Sequence, residues 1–139
     1  MYFLDTDTLS RFHVGTGTIV DRIKEVGEEN VATTIVTTVE ILRGRHEYLL
    51  KAADGEQLMR AQQLLDFSQE LLGDIQIVLI DAGAAAAFDK LRHNKKLRKI
   101  GRADVLIASI ALSHRAVLVT RNVRHFSQVP GLRIENWLQ

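Results

Sequence analysis

The chain has 139 residues, of which 46% are hydrophobic and 25% charged, and these values are typical of one globular domain with a substantial core. Its net charge is only +1, and it contains no cysteine, which excludes disulfides and thiolate metal ligands. Its five histidines lack paired zinc-type spacing, no apolar run is long enough to cross a bilayer, and no signal-peptide pattern is present, so we predict a cytoplasmic protein that holds any metal through oxygen atoms.

The first half of the chain alternates short strands with helices. Side chains at 6–8 are expected to cap the first helix, and Thr37 or Thr38 to cap the helix that carries Glu40 in an early turn. The predicted elements are a strand at 2–4, a helix beginning near Leu9, an amphipathic helix closed by Gly27, a β-branched strand at 31–34, the helix with Glu40, and a longer helix from 56 to Gly73.

The second half continues the alternation. Its predicted elements are a strand at 75–80, an alanine-rich helix from Asp81 to about His93, a buried helix at 103–113, a strand at 116–119, a helical turn at 122–126 and a last strand at 132–135. Strands separated by helices indicate an α/β fold, a three-layer α/β/α sandwich with a mostly parallel central sheet.

Acidic residues recur where strands end, and parallel sheets bind ligands at the carboxyl ends of their strands. Asp5 ends the first strand, Glu40 follows the second, and Asn122 follows the fourth. Asp104 opens the buried helix and precedes a strand, so it reaches this edge only if the preceding loop returns over the sheet. Asp81 competes for a place in the site, although capping of the following helix explains it without a further role.

Three carboxylates brought together without cationic partners repel one another, and their unpaired burial is costly. A hard divalent cation relieves this repulsion. Mg²⁺ or Mn²⁺ prefers carboxylate oxygens, keeps several waters and suits phosphodiester hydrolysis. Asp5, Glu40 and Asp104 are therefore our candidate metal ligands.

A basic stretch runs directly into Asp104. It contains seven lysines and arginines and no acid: Lys90, Arg92, Lys95, Lys96, Arg98, Lys99 and Arg102. Such a run is often only a solvated surface, but its position beside a candidate active-site acid indicates contact with the phosphates of a nucleic acid.

Four groups of motifs in register resemble the PIN-domain family, and specifically the VapC-type toxins of prokaryotic toxin–antitoxin pairs. They are Tyr-Phe-Leu-Asp-Thr-Asp at 2–7, Thr-Thr-Val-Glu-Ile-Leu-Arg-Gly at 37–44, Gly-Arg-Ala-Asp-Val-Leu-Ile-Ala at 101–108, and Leu-Val-Thr-Arg-Asn at 118–122 with Phe126, Pro-Gly-Leu at 130–132 and Glu-Asn-Trp at 135–137. The resemblance covers residues 1–139 as a single PIN-like domain.

This resemblance implies an Mg²⁺- or Mn²⁺-dependent endoribonuclease that cleaves single-stranded or structured RNA. It further implies a homodimer that is kept inactive by a cognate antitoxin. The absence of a long apolar run separately predicts no membrane partner. Asp5, Glu40 and Asp104 match the family's metal-binding acids, and Asn122 stands where many relatives have a fourth acid. Asp7 departs from the asparagine that is usual in the family.

Three alternatives remain open from the sequence. Asp5 and Asp7 also resemble the nucleophile and general acid of a haloacid dehalogenase-like phosphatase, although Leu9 does not match that motif. A response-regulator receiver fits less well, because it needs adjacent acids after the first strand. A catalytically dead RNA-binding scaffold could use the basic stretch alone, but the three intact acids argue against it.

Overall fold

A sheet of five short parallel strands forms the centre of the computed structural model, which describes residues 1–138. The strands are β1 (Tyr2–Leu4), β2 (Val31–Thr34), β3 (Gln76–Val78), β4 (Val117–Val119) and β5 (Arg133–Glu135). Their order across the sheet is β3-β2-β1-β4-β5, and each neighbouring pair is parallel. The first strand, β1, is therefore central; β2 and β3 extend the sheet on one side of it, and β4 and β5 extend it on the other.

Helices connect and cover these strands. They are α1 (Thr6–His13), α2 (Gly17–Val26), α3 (Ile35–Lys51), α4 (Gly55–Asp74), α5 (Ala82–Arg92), α6 (Arg102–Ser113) and α7 (Val123–Phe126), with 3₁₀ turns at Glu28–Asn30 and Lys95–Leu97. No helix within residues 1–138 combines the length and apolarity that a membrane span requires.

Successive side chains of the central strands pack into two separate cores, because side chains alternate between the faces of a sheet. Phe3 and Leu118 pack with α5 and α6, whereas Leu4 and Val119 pack with α1, α2 and α4. The predicted three-layer α/β/α sandwich is therefore confirmed, and its sheet is parallel throughout the described chain.

Two predicted helix starts were wrong. Asp5, rather than residues 6–8, caps α1, since its Oδ1 accepts a hydrogen bond of 2.9 Å from the Thr8 backbone N–H. Thr34, rather than Thr37 or Thr38, caps α3 and accepts from the backbone N–H of Thr37 at 3.1 Å. Thr34 is both the last residue of β2 and the cap of α3, whereas Asp5 is the single residue between β1 and α1, so neither junction leaves room for a loop.

The third strand was also predicted too long. It covers residues 76–78, and the apolar residues that follow, Leu79 and Ile80, are exposed. The predicted capping of α5 by Asp81 is confirmed, because its Oδ1 accepts from the Ala84 backbone N–H at 2.8 Å.

Candidate active site

An open cavity of about 480 Å³ lies at the carboxyl edge of the sheet, beyond the ends of β1 and β4. It is lined by Asp5, Thr6, Asp7, Glu40, Asp104, Ile107, Arg121, Asn122 and Phe126. All four residues that the sequence marks as candidate site residues therefore reach one cavity, and α6 returns over the sheet edge as the position of Asp104 requires.

Asp5 is held firmly at the end of β1. Its backbone N–H donates to the Val119 carbonyl at 3.1 Å, and its side chain caps α1. Burial raises the pKa of the Asp5 carboxyl; hydrogen bonds from Thr120 and Thr8 oppose this shift, and the nearby charge of Asp7 adds to it. The surroundings of Asp5 therefore stabilise the charged form of its carboxyl only in part.

Glu40 reaches the same cavity from α3, where it is exposed. The Thr6 hydroxyl donates to its Oε1 at 3.2 Å, which joins α1 to α3 at the cavity wall. Loss of hydration at the cavity wall raises the pKa of the Glu40 carboxyl although the residue as a whole is exposed; the hydrogen bond from Thr6 lowers this pKa, and the charges of Asp104 and Asp5 raise it further. Glu40 therefore lies close enough to both Asp104 and Asp5 to be repelled by their charges.

Asp104 lies in the first turn of α6 and has a partner that the sequence reading missed. Its Oδ2 is 3.0 Å from Nε2 of His125, which belongs to the short helix α7, and both side chains are partly buried. The sequence predicts the helical turn at 122–126 but gives no reason to direct its histidine toward α6. Only the folding of α7 against the start of α6 brings the two together.

Asp7 lies at the rim of the cavity among arginines. Its Oδ2 is 3.5 Å from Nη1 of Arg121, and its Oδ1 is 3.8 Å from Nε of Arg11. Arg121 is the basic residue of the cavity lining. Asp7 is thus engaged in ion pairs, in contrast to the candidate metal ligands.

The donor set suits a hard divalent cation. Within residues 1–138, no lysine or arginine forms an ion pair with Asp5, Glu40 or Asp104. The same part of the chain contains no ready-made cluster of three side chains that could hold a metal, although the three carboxylates line one cavity. Carboxylate oxygens that line one cavity and pair with no lysine or arginine of the described residues nevertheless match what Mg²⁺ or Mn²⁺ prefers.

Asp81 lies outside this cavity. Its Oδ1 caps α5, and its Oδ2 is 3.7 Å from Nε2 of His114. The simpler interpretation of Asp81 as a helix cap therefore accounts for its position.

Comparison with known proteins points to one family. A sequence model of the PIN domain matches residues 2–132. Ribonuclease VapC1 of Haemophilus influenzae strain R2866 is 27% identical over 139 residues, which covers 99% of this chain and 98% of that protein. Ribonuclease VapC2 of Rickettsia felis is 35% identical over 68 residues, which spans 48% of this chain and only about half, 51%, of that relative.

Solved structures show the same fold. In the crystal structure of VapBC2 from Rickettsia felis bound to a DNA fragment from its promoter, one chain superimposes with a TM-score of 0.77 and 24% sequence identity. The superposition covers 98% of each chain, so the likeness extends over nearly the whole fold.

Proposed function

The chain belongs to the PIN-domain family, and from this we propose that it is a metal-dependent endoribonuclease acting as the toxin of a toxin–antitoxin system. Relatives named as ribonucleases align with it over nearly their whole length. The observation that carries the proposal is the meeting of Asp5, Glu40 and Asp104, from three separate segments, in one cavity at the sheet edge.

In this proposal, Asp5, Glu40 and Asp104 hold Mg²⁺ or Mn²⁺ through their carboxylate oxygens. When bound, such an ion neutralises charge on a phosphodiester and lowers the pKa of a water that it ligates. Asn122 contributes an uncharged amide oxygen at the same cavity, which can accept a hydrogen bond from a water there.

The chain's own side chains also prepare the cavity for an anionic substrate. The negative charges of Asp5 and Glu40 repel an RNA phosphate. Arg121, at the rim of the cavity, has a guanidinium that can pair with phosphate oxygens. The ion pair with Asp7 holds Arg121 near the cavity. Meanwhile the Thr8 backbone N–H fixes one oxygen of Asp5, which keeps that carboxylate oriented at the end of β1.

We also propose a cognate antitoxin and a homodimer as partners. The antitoxin is supported by the likeness to a VapBC complex. Apolar side chains are exposed on α4, among them Leu58, Met59 and Phe67, as expected for a chain with protein partners. A cytoplasmic location stays a prediction, consistent with an RNA substrate.

One assay series tests the function. The purified protein should shorten a labelled single-stranded RNA with Mn²⁺ or Mg²⁺ and stop when EDTA is added. Asp104→Asn, prepared in parallel, controls for a contaminating ribonuclease. Turnover of p-nitrophenyl phosphate without RNA cleavage would instead favour a phosphatase that uses Asp5 and Asp7, and RNA binding without any turnover would favour a scaffold.

A further inference from the structure

A second pocket, here called the arginine pocket, borders the same end of α6 as the active-site cavity. Its volume is about 210 Å³, and its lining comprises Phe88, Leu91, Arg92, Asn94, Leu97, Arg98, Ile100, Arg102 and Val105. On α6, Asp104 and Ile107 line the active-site cavity, whereas Arg102 and Val105 line the arginine pocket. The two recesses therefore lie on different sides of one helix, whose diameter with side chains is about 10–12 Å.

The arginine pocket has a positive wall. Three of its lining residues are arginines and none is an acid. Arg92 pairs with Asp89 outside the lining at 3.2 Å, but Arg98 and Arg102 form no ion pair within residues 1–138. Two uncompensated guanidinium groups beside an apolar surface favour an anionic ligand.

Its floor is apolar. Leu91, Leu97, Ile100 and Val105 are each less than 9% exposed, and they support the half-buried ring of Phe88. The Arg102 guanidinium carbon lies 5.1 Å from the centroid of that ring, so a cation–π contact keeps Arg102 beside the pocket. A free phosphate ion makes no favourable contact with such an apolar surface. A nucleobase does, because proteins bind unpaired bases by stacking on aromatic rings and guanidinium planes.

We propose that the arginine pocket binds one unpaired nucleotide of the RNA substrate, with its base against Phe88 and Arg102 and its phosphate near Arg98. The inference rests on the proposed ribonuclease function and specifies how that site holds its substrate. A volume of about 210 Å³ is below the roughly 300–1,000 Å³ of pockets for drug-sized ligands, so it admits a base but not a folded strand. The strand then passes around α6 to place a nearby phosphodiester at Asp104.

Direct binding measurements test the pocket apart from catalysis. Full-length protein carrying Asp104→Asn, in EDTA, is titrated into a fluorescein-labelled single-stranded RNA at several salt concentrations. Arg98→Gln with Arg102→Gln should raise Kd at least about tenfold and reduce the salt slope by about 0.7 for each lost phosphate contact. Phe88→Leu should raise Kd about fivefold with an unchanged salt slope, because a stacking contact carries no charge.

The matched control is Lys24→Gln with Lys51→Gln, which removes the same charge from exposed positions outside both the basic stretch and the pocket lining. It should raise Kd less than about threefold, and thermal melting checks that every variant folds. The proposal is overturned if the arginine variant resembles this control, or if Phe88→Leu binds like the parent. A loss of antitoxin binding with RNA affinity at the control level would overturn it in favour of a protein ligand.

Cleavage by the unmodified protein is measured separately. If that protein fails to cut RNA with Mn²⁺ while the pocket variants still weaken binding, the ribonuclease proposal fails and the nucleotide pocket stands. If cleavage occurs but the pocket variants bind RNA as the lysine control does, only the pocket proposal fails.

Discussion

Nε2 of His125 lies 3.0 Å from Oδ2 of Asp104, and this contact joins α7 to the first turn of α6 at the wall of the active-site cavity. The carboxylate is only 33% exposed and the imidazole 23% exposed, so solvent competes weakly with the contact. It engages one oxygen of Asp104 and leaves Oδ1 available to a ligand in the cavity. His125 is therefore a positioning residue for a candidate metal-binding acid.

Replacement of His125 should leave the Asp104 carboxylate less well oriented, and the affinity of the site for metal should then fall. Partners that orient metal-ligating side chains typically affect metal affinity or activity by about 10–100-fold. We expect His125→Ala to lower Mn²⁺ affinity, measured by calorimetry, and RNA cleavage within this range. His46→Ala, at an exposed position on α3, serves as the control. Unchanged Mn²⁺ affinity in a folded His125→Ala protein would show that the contact does not position Asp104.

Neutralising Asp5 or Asp104 should abolish RNA cleavage and preserve the fold. Asp5→Asn and Asp104→Asn are nearly isosteric, and asparagine can still cap α1 at position 5. Loss of a ligating charge should cost several kcal/mol of transition-state stabilisation. Cleavage of labelled RNA under excess Mg²⁺ measures the effect. Asp81→Asn, which alters a capping acid outside the cavity, should cleave like the parent protein; wild-type turnover by Asp104→Asn would refute the assignment of the site.

The burial of Asp5 should make the metal-free protein less stable as pH rises. Because its pKa is higher in the folded state, the folded protein binds more protons than the unfolded chain above the unfolded pKa of about 3.9. The contribution of Asp5 to the unfolding free energy is therefore fully present below that pH and falls until pH passes the raised pKa. Asp5→Asn should remove this dependence.

Urea midpoints measured in EDTA across the acidic range and up to neutral pH test this expectation. The comparison is between the parent protein, Asp5→Asn and the control Asp81→Asn. Equal slopes of stability against pH for the parent and Asp5→Asn would mean that burial does not raise the pKa of the Asp5 carboxyl in the folded protein.

The sequence predicts the strands and the gathering of the candidate acids at one edge of the sheet better than it predicts helix starts. The β-branched stretch 31–34 and the acid at the end of the first strand have strong local causes, because strand propensity and the edge rule of parallel sheets both apply there. The starts of α1 and α3 were misplaced because at most one residue separates each strand from its helix, so each cap lies earlier in the chain than the residues chosen from the sequence.

Features that depend on tertiary packing could not be predicted. His125 is a short-helix residue whose importance arises only from the meeting of α7 with α6. From the sequence, the arginine pocket could be recognised only as a run of basic residues and not as a pocket. Sequence spacing does not show that Arg102 stacks on Phe88 from the preceding helix, nor that Arg98 and not Lys99 lines the recess.

Asn122 offers the clearest test of how many charges the site needs. It lines the cavity, is exposed, and makes no side-chain capping bond to α7, so its amide is available to a ligand. Asn122→Asp should raise Mn²⁺ affinity at least about tenfold, because an anion near a divalent cation is favourable even at an effective dielectric of about 20. The same change should destabilise the metal-free protein through repulsion by the other acids.

Calorimetry with Mn²⁺, with and without an uncleavable RNA, measures both the affinity and the number of metals bound. We expect one tightly held metal in the RNA-free parent, because Asn122 brings no charge to help retain a second. Asn136→Asp is the matched control: it adds the same charge outside the cavity and can still accept from the Leu138 backbone N–H, as Asn136 does at 2.9 Å. Two tight sites in the RNA-free parent, or an Asn122→Asp affinity no higher than that of Asn136→Asp, would show that residue 122 does not face the metal.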